Sequence, residues 1–113
     1  MIVTRKIQDQ PASDNPHGVD VRMLYDQATA QVVHIHLLPG QALKRHITPT
    51  DVAFFVLEGS GTVEVGDEKM VVEAGTLVES PSGIVHCWYN TSHDSLRVLV
   101  VKAPRPQQKA RLL

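Results

Sequence analysis

The sequence predicts an all-β domain, built as an antiparallel sandwich or barrel. Short apolar segments alternate with breaks that contain glycine and proline, seven of each in 113 residues, and such punctuation is typical of many short strands joined by tight turns. No segment shows a convincing helical spacing of apolar residues. The length suits one domain with a single core, so we expect one unit over residues 1–113.

Eight strands are predicted from the apolar runs and their breaks, over residues 19–24, 31–38, 52–57, 62–65, 70–73, 76–79, 84–89 and 96–102. In the second of them Val33, Ile35 and Leu37 alternate with His34 and His36. Successive side chains of a strand point to opposite faces. The apolar three should therefore face the core, and the two histidines should lie on the outer surface.

The connections and termini are predicted from the same breakers. Proline and glycine at Pro39-Gly40 end the second strand, and Gly66-Asp67 closes a hairpin. Residues 1–18 are interpreted as a weak lead-in strand followed by a loop, since breakers crowd their second half. Residues 104–113 are expected to be a frayed tail or one that docks on a partner subunit.

Two glycine-to-histidine motifs flank the predicted hairpin. The second has the form Gly-x5-Pro-x-Gly-x2-His-x3-Asn, with every fixed residue present: Gly75, Pro81, Gly83, His86 and Asn90. This pattern resembles the second motif of the cupins.

The first cupin motif, Gly-x5-His-x-His-x3,4-Glu-x6-Gly, is only partly kept. Gly40, His46 and Gly59 match, whereas Thr48 stands in place of the second histidine and Val52 in place of the glutamate. With their connector the two motifs cover roughly half the chain. The sequence is thus similar to small single-domain cupins with a degenerate first motif, which implies a double-stranded β-helix, or jelly-roll barrel.

The resemblance also implies where a metal would be held. Cupin metal centres use two histidines and a carboxylate from the first motif and one histidine from the second, of which only His46 and His86 carry over. The Thr48 hydroxyl is a poor ligand for a borderline ion, and Val52 has no donor. Asp51 has the wrong strand parity and reaches inward only through a bulge or a register shift. The expected cofactor is either a divalent transition metal (Zn, Fe, Mn or Ni) at the two histidines plus another donor, or none.

Strand parity together with the motifs predicts a pocket inside the barrel. Its expected lining is His46, Thr48, Val52, Phe54, Val56, His86 and Trp88. An equally simple interpretation is that Phe54 and Trp88 merely fill a small barrel core. His17 and His93 fall in loops and are interpreted as surface residues, and Cys87 as an inert packed thiol.

Two functions fit this pattern. The first is binding of a small organic ligand in the barrel, with a weak or absent metal site. The alternative, implied by the resemblance, is a metal-dependent dioxygenase, decarboxylase or isomerase that uses His46, His86 and an additional donor. A smaller branch of the alternative is a metal-free lyase or isomerase with His86 as general base. No Ser-His-Asp order and no phosphate-binding glycine loop is present.

Charge and composition limit the partners. A formal charge of −1 gives no attraction to nucleic acid or to a membrane surface, and no run reaches membrane-spanning length. Cys87 is the only cysteine, so no internal disulfide is expected and a cytoplasmic location is the default. A homodimer is expected, because an outer face with His34, His36 and Leu38 can be buried between two copies.

Overall fold

The computed structural model describes residues 1–113 and is almost entirely β-structure. Its one helical element is a 3₁₀ turn at Ile7–Asp9, and no helix is long and apolar enough to cross a membrane. The strands are β1 (Asp20–Gln27), β2 (Ala30–Leu37), β3 (Ala42–Ile47), β4 (Asp51–Glu58), β5 (Ser60–Val65), β6 (Glu68–Glu73), β7 (Leu77–Ser80), β8 (Val85–Tyr89), β9 (Leu96–Ala103) and β10 (Arg111–Leu112).

The ten strands form two antiparallel five-stranded sheets. The first sheet has the order β1-β2-β9-β4-β7 and the second has the order β10-β3-β8-β5-β6. Strands adjacent in sequence repeatedly fall in opposite sheets, for example β3 and β4. This winding of one chain through two sheets is the double-stranded β-helix that the motifs imply.

The core lies between the two sheets, and period-2 alternation decides which side chains enter it. In β2 the predicted inward set is confirmed: Val33, Ile35 and Leu37 are buried. They pack with Phe54 of β4 and Trp88 of β8 in one cluster of 14 apolar residues. Burying each side chain of this size stabilises the fold by about 1.5–3 kcal/mol.

The outer face of the first sheet departs from the expectation in one respect. His34 pairs across the sheet with Leu99, on the face opposite the core set, but its side chain is only 2% exposed. The Arg97 guanidinium donates to its Nε2 at 3.1 Å, and burial lowers the pKa of the ring. His36 is half-buried and bonds the Ser95 hydroxyl at 2.8 Å. Both histidines are structural, and the homodimer expected through this face stays a prediction.

The termini differ from the sequence prediction. No lead-in strand forms in residues 1–18, and residues 13–17 instead line a cavity between the two sheets. The tail is not frayed: β10 pairs with β3 of its own chain, matching Arg111 with Ile47 and Leu112 with His46. The strand β3 was not predicted, because Lys44 and Arg45 interrupt its apolar alternation.

Asn90, the last residue of the second motif, holds the loop between β8 and β9. Its side-chain amide donates to the carbonyls of Leu37 and Asp94 at 2.9 and 2.8 Å. Its Oδ1 accepts from the Ser92 backbone amide and hydroxyl. Because these buried groups satisfy each other, Asn90 has a structural role and leaves no polar atom for a ligand.

Candidate functional site

A cavity of about 500 Å³ opens between the two sheets, within the range usual for small-molecule sites. Five residues predicted to form a pocket line it: His46, Thr48, Val52, Phe54 and His86. The other two predicted residues do not. Val56 and Trp88 share the inward parity and are buried in the apolar core, but they do not line the cavity.

The sheet register brings the two motif histidines together. His46 on β3 and His86 on β8 are directly paired partners on adjacent strands, so their inward side chains are neighbours. The ring centroids are 4.3 Å apart and the Nε2 atoms are 3.0 Å apart. Phe54 of the facing sheet packs edge-on against His86 with centroids 5.1 Å apart. The two imidazoles therefore meet inside the roll, as the resemblance to the cupin motifs implies.

The hydrogen bonds fix where the protons of this pair reside. His46 Nδ1 lies 2.6 Å from the Lys44 carbonyl, which can only accept, so this nitrogen carries the proton. His46 Nε2 then has the lone pair and accepts from the Nε2–H of His86. The remaining His86 nitrogen, Nδ1, accepts from the Ser80 hydroxyl at 2.7 Å. Both rings are neutral and each bonds the other directly.

Thr48, where the family motif has a histidine, joins the same network. Its Oγ1 lies 3.1 Å from His86 Nε2 and accepts a bifurcated hydrogen bond from the same Nε2–H that bonds His46. The hydroxyl proton of Thr48 has no acceptor in the protein. Thr48 thus presents a free donor to the cavity that it lines.

His17 is a site residue that the sequence interpretation missed. Its ring lies 4.9 Å from that of His46, and its Nδ1 accepts from the backbone amide of Lys44 at 2.9 Å. Burial, together with the neighbouring His46, lowers the pKa of His17 to about 4. No sequence signal could have found it, since His17 lies in a loop without periodicity and meets Lys44 across 27 positions.

Lys102 was missed too, although its signal was visible. Leu96, Val98 and Val100 are buried on the inner face of β9, and Lys102 is the next residue with the same parity. It lines the cavity and is half-buried. Burial lowers the pKa of its ammonium group.

The chemistry of Cys87 agrees with its predicted role. Its side chain lies on the face of β8 opposite His86 and contacts Glu64 Oε2 at 3.2 Å. Burial raises the pKa of the thiol, which keeps it protonated at neutral pH.

Burial of the imidazoles makes the stability of the protein pH-dependent. Burial, followed by the electrostatic influence of His46 and Lys102 on a protonated ring, lowers the pKa of His86 from 6.5 to about 3. Burial also lowers the pKa of His46. In the unfolded chain these rings bind protons as the pH falls below their ordinary pKa, whereas in the fold they remain neutral.

We expect the free energy of unfolding to fall as the pH is lowered from 7.5 to 5. Because the pKa of His86 is lowered from 6.5 to about 3 in the fold, its effect on the free energy of unfolding is absent above pH 6.5. As the pH falls from 6.5 toward 3, the unfolded chain gains a proton that the folded ring does not bind, and the free energy of unfolding decreases. At pH 5 this residue alone accounts for a loss of about 2 kcal/mol, and His17 and His46 act in the same direction. Urea unfolding at both pH values measures the loss. The variant His93→Asn, which alters an exposed ring, serves as a control and should show the same loss; equal stability of the unaltered protein at both pH values contradicts the prediction.

The donor set does not fit a metal centre of the kind the family motif implies. Two imidazole nitrogens converge, but the third and fourth ligand positions carry Thr48 and Val52. No three histidine, cysteine, aspartate or glutamate side chains are placed to hold one ion. Asp51, the nearest carboxylate in sequence, is exposed and accepts from the Ser82 backbone amide. Two protein ligands bind a divalent ion weakly.

The fold and the motif residues agree with a comparison against known families. The family model described as a cupin domain matches residues 33–102. The chain belongs to the cupin family. That match runs from β2 into β9 and contains both motifs, whereas His17 and the tail that closes the second sheet lie outside it.

Curated relatives of this cupin include two uncharacterized proteins. One, from Streptomyces coelicolor, is 41% identical over 54 residues, which are 48% of this chain and 50% of that protein. The chain thus matches about half the length of this relative. The other, from Methanocaldococcus jannaschii, is 28% identical over 89 residues, covering 78% of this chain and 77% of its own length.

Solved structures agree with the fold. A protein from Thermus thermophilus is 31% identical and has a TM-score of 0.77, covering 90% of this cupin and 97% of that chain. The polyketide cyclase RemF from Streptomyces resistomycificus has a TM-score of 0.84 at 20% identity, covering 100% and 86%. At this lower identity the likeness concerns the fold alone.

Proposed function

We propose that this cupin binds a small organic molecule inside the roll, in a way that does not depend on a metal ion. The observation that carries the proposal is the cavity of about 500 Å³, in which apolar side chains of both sheets lie beside the polar groups of His46, Thr48 and His86. Its walls include Val33, Ile35, Leu43, Val52, Phe54 and Val100. A concave apolar site with a few convergent polar groups is the usual form of a ligand site.

The hydrogen bonds of His46 and His86 support ligand binding rather than a metal centre. His46 and His86 satisfy each other, Ser80 and the Lys44 carbonyl through direct hydrogen bonds. Their arrangement is complete without an ion, and no carboxylate stands beside them to neutralise a divalent charge. A metal-dependent oxygenase or decarboxylase would need a further donor placed to share one ion with His46 and His86, and no histidine, cysteine, aspartate or glutamate is so placed.

His86 is also poorly suited to act as a general base. A base is most effective when its pKa lies near the working pH, whereas that of His86 is lowered to about 3. Its Nδ1 lone pair is already bonded to Ser80. Binding without proton transfer is therefore the function that this geometry supports best.

An uncharged apolar fluorophore, N-phenyl-1-naphthylamine, tests the proposal directly. It should bind with a stoichiometry of one and be detected by its own emission. Met23 lines the cavity and is 38% exposed, so Met23→Trp should narrow the site and weaken binding at least about tenfold. The matched variant Leu77→Trp, on the outer face of β7 and 56% exposed, should bind as the unaltered protein does.

Two results would overturn the proposal. One is that the fluorophore does not bind, or that both tryptophan variants weaken it equally. The other is that elemental analysis of protein purified without chelator finds one equivalent of a transition metal that is lost on replacing His46 and His86 by alanine.

A further inference from the structure

Lys102 is a cation without a partner in the cavity wall. The ion pairs of the protein lie elsewhere, between Arg22 and Asp20, Arg45 and Glu64, Arg97 and Glu58, and Arg105 and Asp26. The Lys102 ammonium makes no hydrogen bond to the protein, and burial is the only influence on its pKa, with no carboxylate close enough to oppose it. The one acidic side chain that lines the cavity, Asp14, is exposed. A desolvated, unpaired ammonium costs free energy that an incoming anion would offset.

The polar groups around Lys102 are donors. The Thr48 hydroxyl proton has no acceptor in the protein, since Thr48 Oγ1 itself accepts from His86. His17 accepts at Nδ1 from the Lys44 amide, so the neutral ring carries its proton on Nε2, which has no acceptor in the protein either. Lys102 influences the pKa values of both His17 and His86, which places its charge near the histidine cluster. Three free donors, one of them charged, thus serve one cavity.

We propose that the ligand is an organic acid, with an anionic head bound by Lys102, Thr48 and His17 and an apolar body packed against the cavity walls. This inference rests on the proposed ligand-binding function and names the class of molecule that it concerns. A carboxylate offers acceptors only, and so complements a set of donors. Charge-assisted hydrogen bonds of this kind are about twice as strong as neutral ones.

The body of the ligand must be apolar for a separate reason. Val33, Ile35 and Val100 line the cavity beside Lys102 and offer no polar atom. A ligand body packed against these three side chains is stabilised by apolar contact, whereas a hydroxyl group placed against them would lack a partner. The part of the ligand that faces them should therefore be aromatic or aliphatic.

Two fluorophores that differ by one negative charge distinguish binding of the anionic head from binding of the apolar body. The charged probe is 1-anilinonaphthalene-8-sulfonate and the uncharged probe is N-phenyl-1-naphthylamine; both contain the same arylamine, and only the first carries a sulfonate. Lys102→Met keeps the length of the side chain and removes its charge. It should weaken the charged probe about 10- to 100-fold and change the affinity of the uncharged probe less than about twofold. Lys102→Arg should retain most of the affinity for the charged probe.

Lys6 provides the matched control, since it is an exposed lysine outside the cavity lining. Lys6→Met should leave both probes nearly unaffected, and Met23→Trp should weaken both, which locates them in the cavity. Retained binding of the uncharged probe shows that each lysine variant is folded, and a cooperative urea unfolding transition shows the same for Met23→Trp.

The outcomes distinguish this inference from the function on which it rests. If the uncharged probe binds but Lys102→Met weakens both probes equally, or neither, the organic-acid inference is overturned and ligand binding stands. If neither probe binds the unaltered protein, both proposals are overturned.

Discussion

The double variant Thr48→His, Val52→Glu is expected to hold about one equivalent of Zn²⁺ after desalting, whereas the unaltered protein should hold far less. Thr48 and Val52 line the cavity with His46 and His86, whose Nε2 atoms are 3.0 Å apart. A third imidazole and a carboxylate at these positions would give four protein donors, the number typical of a closed zinc site. Elemental analysis after incubation with Zn²⁺ measures the gain.

The same double variant should be less stable than the unaltered protein when no metal is present. Val52 is only 4% exposed, so a carboxylate there is desolvated and costs several kcal/mol unless it is paired. Zn²⁺ should restore the melting temperature, because metal binding stabilises the folded state alone.

A matched control places the new carboxylate one residue further along β4. Ala53 pairs with Glu79 and Val101, on the outer face of the first sheet, so Thr48→His, Ala53→Glu has the same added groups with the carboxylate outside the cavity. This control should not retain an equivalent of zinc. Equal retention by both double variants, or by the unaltered protein, would show that Val52 does not face the missing corner of the site.

Gly59→Ala is expected to destabilise the protein by more than about 4 kcal/mol, enough to prevent folding of many small domains. Gly59 has a φ of +82°, in the left-handed region that a Cβ disfavours. An added Cβ would also overlap the backbone carbonyl oxygen of Ser95. Because the Cβ position is fixed by the Gly59 backbone and the Ser95 oxygen is itself a backbone atom, no side-chain rotation relieves the clash. Either the turn after β4 or the segment before β9 must move.

Gly75→Ala separates the two causes of that loss. Gly75 has a similar φ of +90°, but no atom lies within 4 Å of an added Cβ. Its substitution should cost only the left-handed strain, about 1–2 kcal/mol. Urea unfolding of the two variants measures the difference, and equal losses would mean that the close approach to Ser95 contributes nothing.

Local patterns predicted the features that depend on strand parity. The alternation in β2 correctly directed Val33, Ile35 and Leu37 into the core, because the side-chain period of a strand is two wherever it pairs. The resemblance to the cupin motifs implied that His46 and His86 meet, and the structure places them on paired strands. Parity alone did not show which inward residues line the cavity: Val56 and Trp88 face inward and are buried, but they are not part of the cavity lining.

The sequence by itself determined the double-stranded β-helix, the inward direction of its apolar residues and the pairing of two histidines with two ligand positions missing. Only the tertiary structure decided that His17 joins those histidines, that Lys102 enters the cavity unpaired, and that the tail forms β10 on its own chain. The reason is physical. Strand parity is a local property of the backbone, whereas the approach of a loop and a tail to the mouth of the roll depends on contacts between residues far apart in the chain, for which no periodicity exists.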